Sequence, residues 1–189
     1  MTPAVNNKAA ADWAKTVIPA LLLALFARTY VAQAYNIPSG SMENTLLIGD
    51  HVLVEKISRL MGPPRRGEIV VFKSHIEDKI LIKRVIGLPG ETIALRAGVV
   101  NINGVPLAEP YLHPGDFAAP SGAPRDFGPA KVPEGNVFVM GDHRDNSLDS
   151  RMFGPVALAL IQGRALAIHW SWRDEGYAVR WNRVGKALD

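Results

Sequence analysis

What most limits the fold of this chain is the stretch from Thr16 to Ile37, "TVIPALLLALFARTYVAQAYNI", in which Arg28 is the only charged residue. Wound as an α-helix at about 1.5 Å per residue, it reaches about 33 Å, enough for the hydrocarbon core of a bilayer. A helix buried in a soluble core carries its apolar residues as a stripe, whereas residues 17–27 are apolar on every side. Pro19 sits near the start, where a missing N–H costs least. A cleavable secretory signal has a similar outline: Lys8 and Lys15 form a basic region, Val17 to Ala27 an apolar core, and Ala32-Gln33-Ala34 a small-x-small cleavage site. Both readings send residue 35 and everything after it across the membrane. Because the apolar run continues past Ala34 to Ile37, we expect an uncleaved helical anchor over residues 16–37. The two lysines give a weak positive-inside bias, which puts residues 1–15 in the cytoplasm and 38–189 on the outer face.

Beyond Asp50 the pattern changes to short apolar runs bounded by Gly, Pro and Asn. Strands are predicted over 51–57, 67–73, 79–87, 91–96, 98–102, 136–141, 163–172 and 177–182, because Val and Ile are enriched there. "INGVPL" at 102–107 carries the Asn-Gly pair of a tight hairpin. The fold class expected is mostly β: a transmembrane helix followed by an antiparallel barrel or sandwich. Seven of the fourteen prolines fall between Pro106 and Pro133. Proline cannot donate to a ladder, so residues of about 104–135 are predicted as an irregular excursion, structural rather than catalytic.

Composition removes several function classes. There is no cysteine, which excludes thiol catalysis, disulfides and Cys-ligated zinc. The histidines, His51, His75, His113, His143 and His169, lack metal-ligand spacing, so neither a metal nor another cofactor is expected. A net charge of +3 is spread without aromatic interleaving, which argues against a nucleic-acid partner.

The chemistry concentrates in three places. "IPSGSM", from Ile37 to Met42, sets Ser39 and Ser41 on a backbone constrained by Pro38 and Gly40, a candidate nucleophile site if a base is supplied elsewhere. None of the histidines stands in a context that marks it as that base. Lys83, flanked by Ile82 and Val85, is the alternative, since a lysine in apolar surroundings can be neutral enough to take a proton. Strand parity leaves open which face of 79–87 is inside. The third place is "GDHRDNSLDSR", Gly141 to Arg151, dense in charges of both signs. It lacks the alternating oxygens and sixth-position glycine of a calcium loop, Arg144 and Ser147 standing there instead. Asp149 and Arg151 are spaced to pair and hold Ser147.

In that order, behind an apolar N-terminal span, "IPSGSM", "RRGEIVVFK", "KRVIGLPGE" and "GDHRDNSLDSR" closely resemble the bacterial type I signal peptidases from about Arg28 to Trp172. The resemblance implies a membrane-anchored serine protease that removes signal peptides from exported preproteins, with a β-rich core like that of self-cleaving repressors. Its partners would be those signal peptides and membrane lipid. By matching position, Ser41 is the implied nucleophile and Lys83 its general base. Ser39, with the Ser41 N–H, forms the implied oxyanion hole. Ser147 orients the lysine, Asp149 and Arg151 form the supporting ion pair, and Asp145 joins them as a supporting residue. Cleavage is expected after small residues in an A-x-A pattern. Rivals are a specialised pilin-processing peptidase with the same dyad, a self-cleaving repressor, and an inactive domain that binds signal peptides. Two positions depart from the family pattern: Asn44 replaces a usual proline and His143 a usual asparagine.

Overall fold

The computed structural model describes residues 7–58, 61–113, 124–173 and 178–188. Leu- and Ala-rich sequence favours helix, and α1 runs Asn7–Phe26 with Pro19 inside it, continued by a π-helical turn at Ala27–Val31. Between Trp13 and Val31 the mean hydropathy is 1.4 and none of the span is buried within the protein. Among the described residues it is the one helix long and apolar enough to cross a bilayer. It ends earlier than expected. Ala32–Asn36 is a strand, β1, paired antiparallel with β2 (Asp50–Glu55) from Ala32↔Glu55 to Asn36↔His51. The final residues of the expected span therefore belong to the sheet, including the whole Ala32-Gln33-Ala34 segment. Nothing local in the sequence marks this boundary. The free Val54 and Val52 edge of β2 decides it, an instance of tertiary pairing overriding local pattern.

Helix and sheet meet at Lys56, whose ammonium donates to the Arg28 carbonyl (3.4 Å), the Thr29 carbonyl (3.2 Å) and Gln33 Oε1 (2.8 Å). A cation at the last helical carbonyls satisfies acceptors that lack intrahelical donors and complements the helix dipole.

The remaining strands are β3 (Ile69–Lys73), β4 (Ile80–Gly87), β5 (Thr92–Arg96), β6 (Val99–Ile102), β7 (Val105–Pro106), β8 (Phe127–Lys131), β9 (Asn136–Met140), β10 (Val156–Ala157), β11 (Ile161–Arg173) and β12 (Ala178–Val179). They form a sheet of order β1-β2-β11-β3-β4-β9-β10, with β12 on β11, and a second sheet of order β7-β6-β5-β8. Every pairing is antiparallel. Among the described residues neither sheet closes on itself, so the barrel alternative gives way to two open sheets. Long β11 joins β2 to β3, and at Gly163 the strands come so close that a Cβ would collide with the Glu55 carbonyl oxygen. Three buried clusters fill the interior, the first built on Ile37, Met42, Leu46, Val52, Val54, Ile69, Val71 and Ile168.

Six predicted strands reappear within a few residues. The stretch 177–182 shortens to β12 followed by a 3-10 turn at Trp181–Arg183, and 163–172 lengthens into β11. The Asn103-Gly104 turn joins β6 to β7 with both residues at positive φ (51° and 84°), as a tight hairpin demands. The proline-rich excursion is corrected in part: β7 and β8 lie within it and complete the second sheet. Proline is admitted because β8 is an edge strand and Pro129 falls where the β5–β8 register shifts, a position that asks for no ladder donor. Residues 114–123 of that excursion lie outside the described residues.

Candidate active site

Ile37 follows directly from β1 and is buried in the first cluster. Its N–H donates to the Asp50 carbonyl at 2.9 Å, and the chain then turns through a 3-10 helix, Gly40–Met42. Met42 is fully buried in the same cluster, so the turn is pinned on both sides of its serines. Ser39 is extended (φ −133°, ψ 152°) and exposed, while Ser41 is buried. Lys83 comes from β4, opposite Val70 of β3. On the other side of β4, pairing with β9 starts only at Arg84↔Met140, which leaves Ile80 to Lys83 with a free edge among the described residues. Lys83 is 2% exposed, and its Nζ donates to Ser41 Oγ at 2.6 Å and to its neighbour's carbonyl, Ile82 O, at 3.0 Å. Burial lowers the Lys83 pKa to about 8, while the Asp149 and Asp142 carboxylates act to raise it. A hydroxyl thus sits 2.6 Å from an amine that gives up its proton near pH 8, the geometry of a nucleophile and its base.

The charged loop packs against this pair. Gly141 lies so near Ser147 Oγ and the Ser41 carbonyl oxygen that a Cβ would collide with both. Ser147 is therefore beside the serine turn. Its Oγ is buried and makes no hydrogen bond, to Lys83 or to any other described residue. Asp149 and Arg151 pair in two bonds, Nε to Oδ1 and Nη2 to Oδ2, both 2.9 Å. Asp149 also takes the Gly141 N–H at 3.1 Å, and Arg151 donates to the Arg144 carbonyl at 2.7 Å. The pair closes the loop on itself, as its spacing suggested. Asp145 is buried and faces Arg125 at 3.6 Å. Among the described residues no group of three or more His, Asp or Glu side chains is placed to hold a metal ion.

Residues 10–170 match the family model described as signal peptidase, peptidase S26. The chain belongs to this family. It is 44% identical over 165 residues to a signal peptidase I of Leptolyngbya laminosa, an alignment covering 82% of this chain and 77% of that one. It is 40% identical over 143 residues to signal peptidase I T of Bacillus subtilis (strain 168), covering 74% of each. Among solved structures it is similar to a signal peptidase I of Enterococcus faecalis V583, at 38% identity with a TM-score of 0.48, over 55% of this chain and 97% of that one. As a member of the signal peptidase family the chain is a peptidase, a hydrolase of peptide bonds.

Sequence reasoning missed several groups that surround this candidate site of a signal-peptidase family member. Arg84, beside Lys83, is buried and pairs with buried Asp142 (Nε to Oδ1 2.9 Å, Nη2 to Oδ2 2.7 Å). Thr45 donates to the same carboxylate at 2.5 Å, and the Tyr111 ring lies 4.0 Å from the Arg84 guanidinium carbon. Arg144 is paired in two bonds with Glu109 of the excursion. Arg84 and Asp142 both lay inside the quoted motifs, where adjacency to Lys83 and Gly141 was the available signal. Glu109 and Tyr111 carried none. Of the two departures from the family pattern, Asn44 takes φ 90°, which a proline ring cannot adopt. His143 turns Nδ1 toward the Gly40 carbonyl (3.2 Å) and Glu43 Oε2 (3.4 Å), and its backbone N–H donates to the Ser41 carbonyl at 3.2 Å.

Proposed function

We propose that this chain is a membrane-anchored endopeptidase that removes N-terminal signal peptides from exported preproteins, with Ser41 as nucleophile and Lys83 as general base. The observation that carries the reading is the 2.6 Å contact between Lys83 Nζ and Ser41 Oγ, with both residues buried. Neutral Lys83 takes the Ser41 proton as Oγ attacks the scissile carbonyl. The Ser41 N–H and the exposed Ser39 hydroxyl meet the developing oxyanion. The protonated lysine passes its proton to the leaving amine, and water, activated by Lys83 in turn, releases the acyl group. Ser147 Oγ, which makes no hydrogen bond in the structure, accepts from the ammonium once it forms, and the Asp149–Arg151 pair keeps it in reach.

The substrate lies extended between the free edges of β1 and the first half of β4. These strands run in the same direction, because four antiparallel pairings separate them through β2, β11 and β3. Side chains turned inward at the first and third positions before the cut meet Ile37, Met42 and Ile82, a packed apolar floor that favours small residues. With α1 as the bilayer anchor and the sheet on its outer face, enzyme and preprotein share one membrane, which raises their effective concentration. The test is cleavage of a model preprotein by the full chain in detergent or vesicles. Ser41→Ala is expected to abolish turnover with the thermal melt unchanged, and Ser39→Ala to lower kcat by about 10²- to 10³-fold. Wild-type turnover by Ser41→Ala would refute the reading.

A further inference from the structure

A recess of about 430 Å³ opens at the helix end of the sheet, lined by Thr29, Gln33, Tyr35, Lys56, Ile80 and Gln162. It lies on the same face as the apolar floor. Gln33 and Tyr35 of β1 stand opposite Val54 and Val52, both fully buried in the first cluster, and directly opposed residues of an antiparallel pair share a face. Ile80 precedes Ile82, which packs on that cluster, by two residues. Gln162 enters from β11 at a register shift between Ile161 and Gly163.

Two bonds fix which ends of the amides face the recess. Lys56 is a donor only, so it takes Gln33 Oε1 (2.8 Å) and leaves the Gln33 NH₂ group without a partner among the described residues. The Tyr35 hydroxyl donates to Gln162 Oε1 at 2.8 Å, which leaves the Gln162 NH₂ group likewise without a partner there. The Lys56 ammonium is spent on the three acceptors it already holds. What remains on offer in the recess is hydrogen-bond donation from amides in a polar setting.

We infer that this recess is a substrate subsite for the fifth residue before the cut, and that it selects a side chain carrying a hydrogen-bond acceptor, an amide or a carboxylate. The inference rests on the signal-peptide reading above, and it follows from strand periodicity. In an extended peptide with its first and third residues on the apolar floor, the fifth turns the same way. It lies about 13 Å from the first at about 3.3 Å per residue, and Ile80, three residues before Lys83, is about 10 Å back along β4. The fourth and sixth residues face away from the recess.

The experiment uses the full chain in phospholipid vesicles and a set of model preproteins with alanine at the first and third positions before the cut. The fifth position carries Gln, Glu, Leu or Lys. We expect kcat/KM for Gln and Glu to exceed that for Leu and Lys by about 3- to 10-fold, the effect of one or two hydrogen bonds. Moving the Gln to the fourth or sixth position removes the advantage. In Gln162→Leu, and separately in Gln33→Leu, the Gln-to-Leu ratio falls to about 1. An unchanged ratio in both variants, or an equal preference at the fourth or sixth position, overturns the subsite. Failure of the wild-type chain to cleave any of the set overturns the protease reading itself, and the two failures are thereby told apart.

Discussion

Lys83 has two neighbours that pull against its burial, and the balance leaves its pKa at about 8 rather than near 10.5. In the proposed mechanism the working form is the neutral amine, so the rate of the chemical step is expected to rise with pH through about 8 and level off above it. Single-turnover cleavage from pH 6 to 10 measures this, and a flat profile there would exclude the neutral-lysine base. Lys83→Arg should be inactive throughout, because a guanidinium stays protonated. His143 acts one peptide away. A proton on Nδ1 lets the ring donate to the Gly40 carbonyl, and that carbonyl shares a planar unit with the Ser41 N–H, the oxyanion donor of the proposed mechanism. Fixing one end of the plane aims the other. His143→Asn, which keeps a donor, is expected to stay within about 3-fold of wild type, while His143→Leu loses about 10-fold in kcat with KM little changed. Equal kcat for the two variants would remove the role.

At the scale of elements, the excursion between β6 and β9 serves the site as well as the second sheet. Glu109 neutralises the fully buried Arg144, the Pro124 carbonyl accepts from Arg151, and the Tyr111 ring covers Arg84, so the loop of residues 141–151 is held from outside as well as from within. Glu109→Gln takes the paired carboxylate from a buried guanidinium and is expected to cost up to about 3–5 kcal/mol of stability, read as a lower urea midpoint. Cleavage falls with it as the loop loosens. A midpoint within experimental error of wild type would show the excursion to be a bystander. None of this was visible in residues 104–135, where the density of proline points to irregularity. The partners of Glu109 and Tyr111 are distant in sequence, and a single sequence does not encode who meets whom. Strands with a strong Val and Ile signal, β3, β4 and β9, were legible, and so was the Asp149–Arg151 pair, a contact between near neighbours. Ala32 to Asn36 was misread because "AQAYN" continues an apolar helix without a breaker, and only the edge of β2 turns it into strand. The Ser147 hydroxyl was expected on Lys83 and makes no bond, since loop spacing sets proximity but not the rotamer.

At the scale of the whole molecule, helix passes into sheet without a linker. The π-helical turn ends at Val31, β1 begins at Ala32, and the Lys56 ammonium clasps both sides of the junction. Five residues of strand cover about 16 Å, and Ser41 follows five residues after Asn36. In the anchored reading a preprotein strand alongside β1 must cover the same height from its own apolar helix, so preproteins with two residues between that helix and the cut are expected to resist cleavage. Those with five or six should be processed, as gel shifts of a spacer series will show. Efficient cutting at two residues would mean that the junction flexes. In that reading a joint this stiff would make the enzyme a ruler: the scissile bond would be chosen by its altitude above the bilayer, and the small side chains beside it would only decide which of the few bonds at that altitude fits.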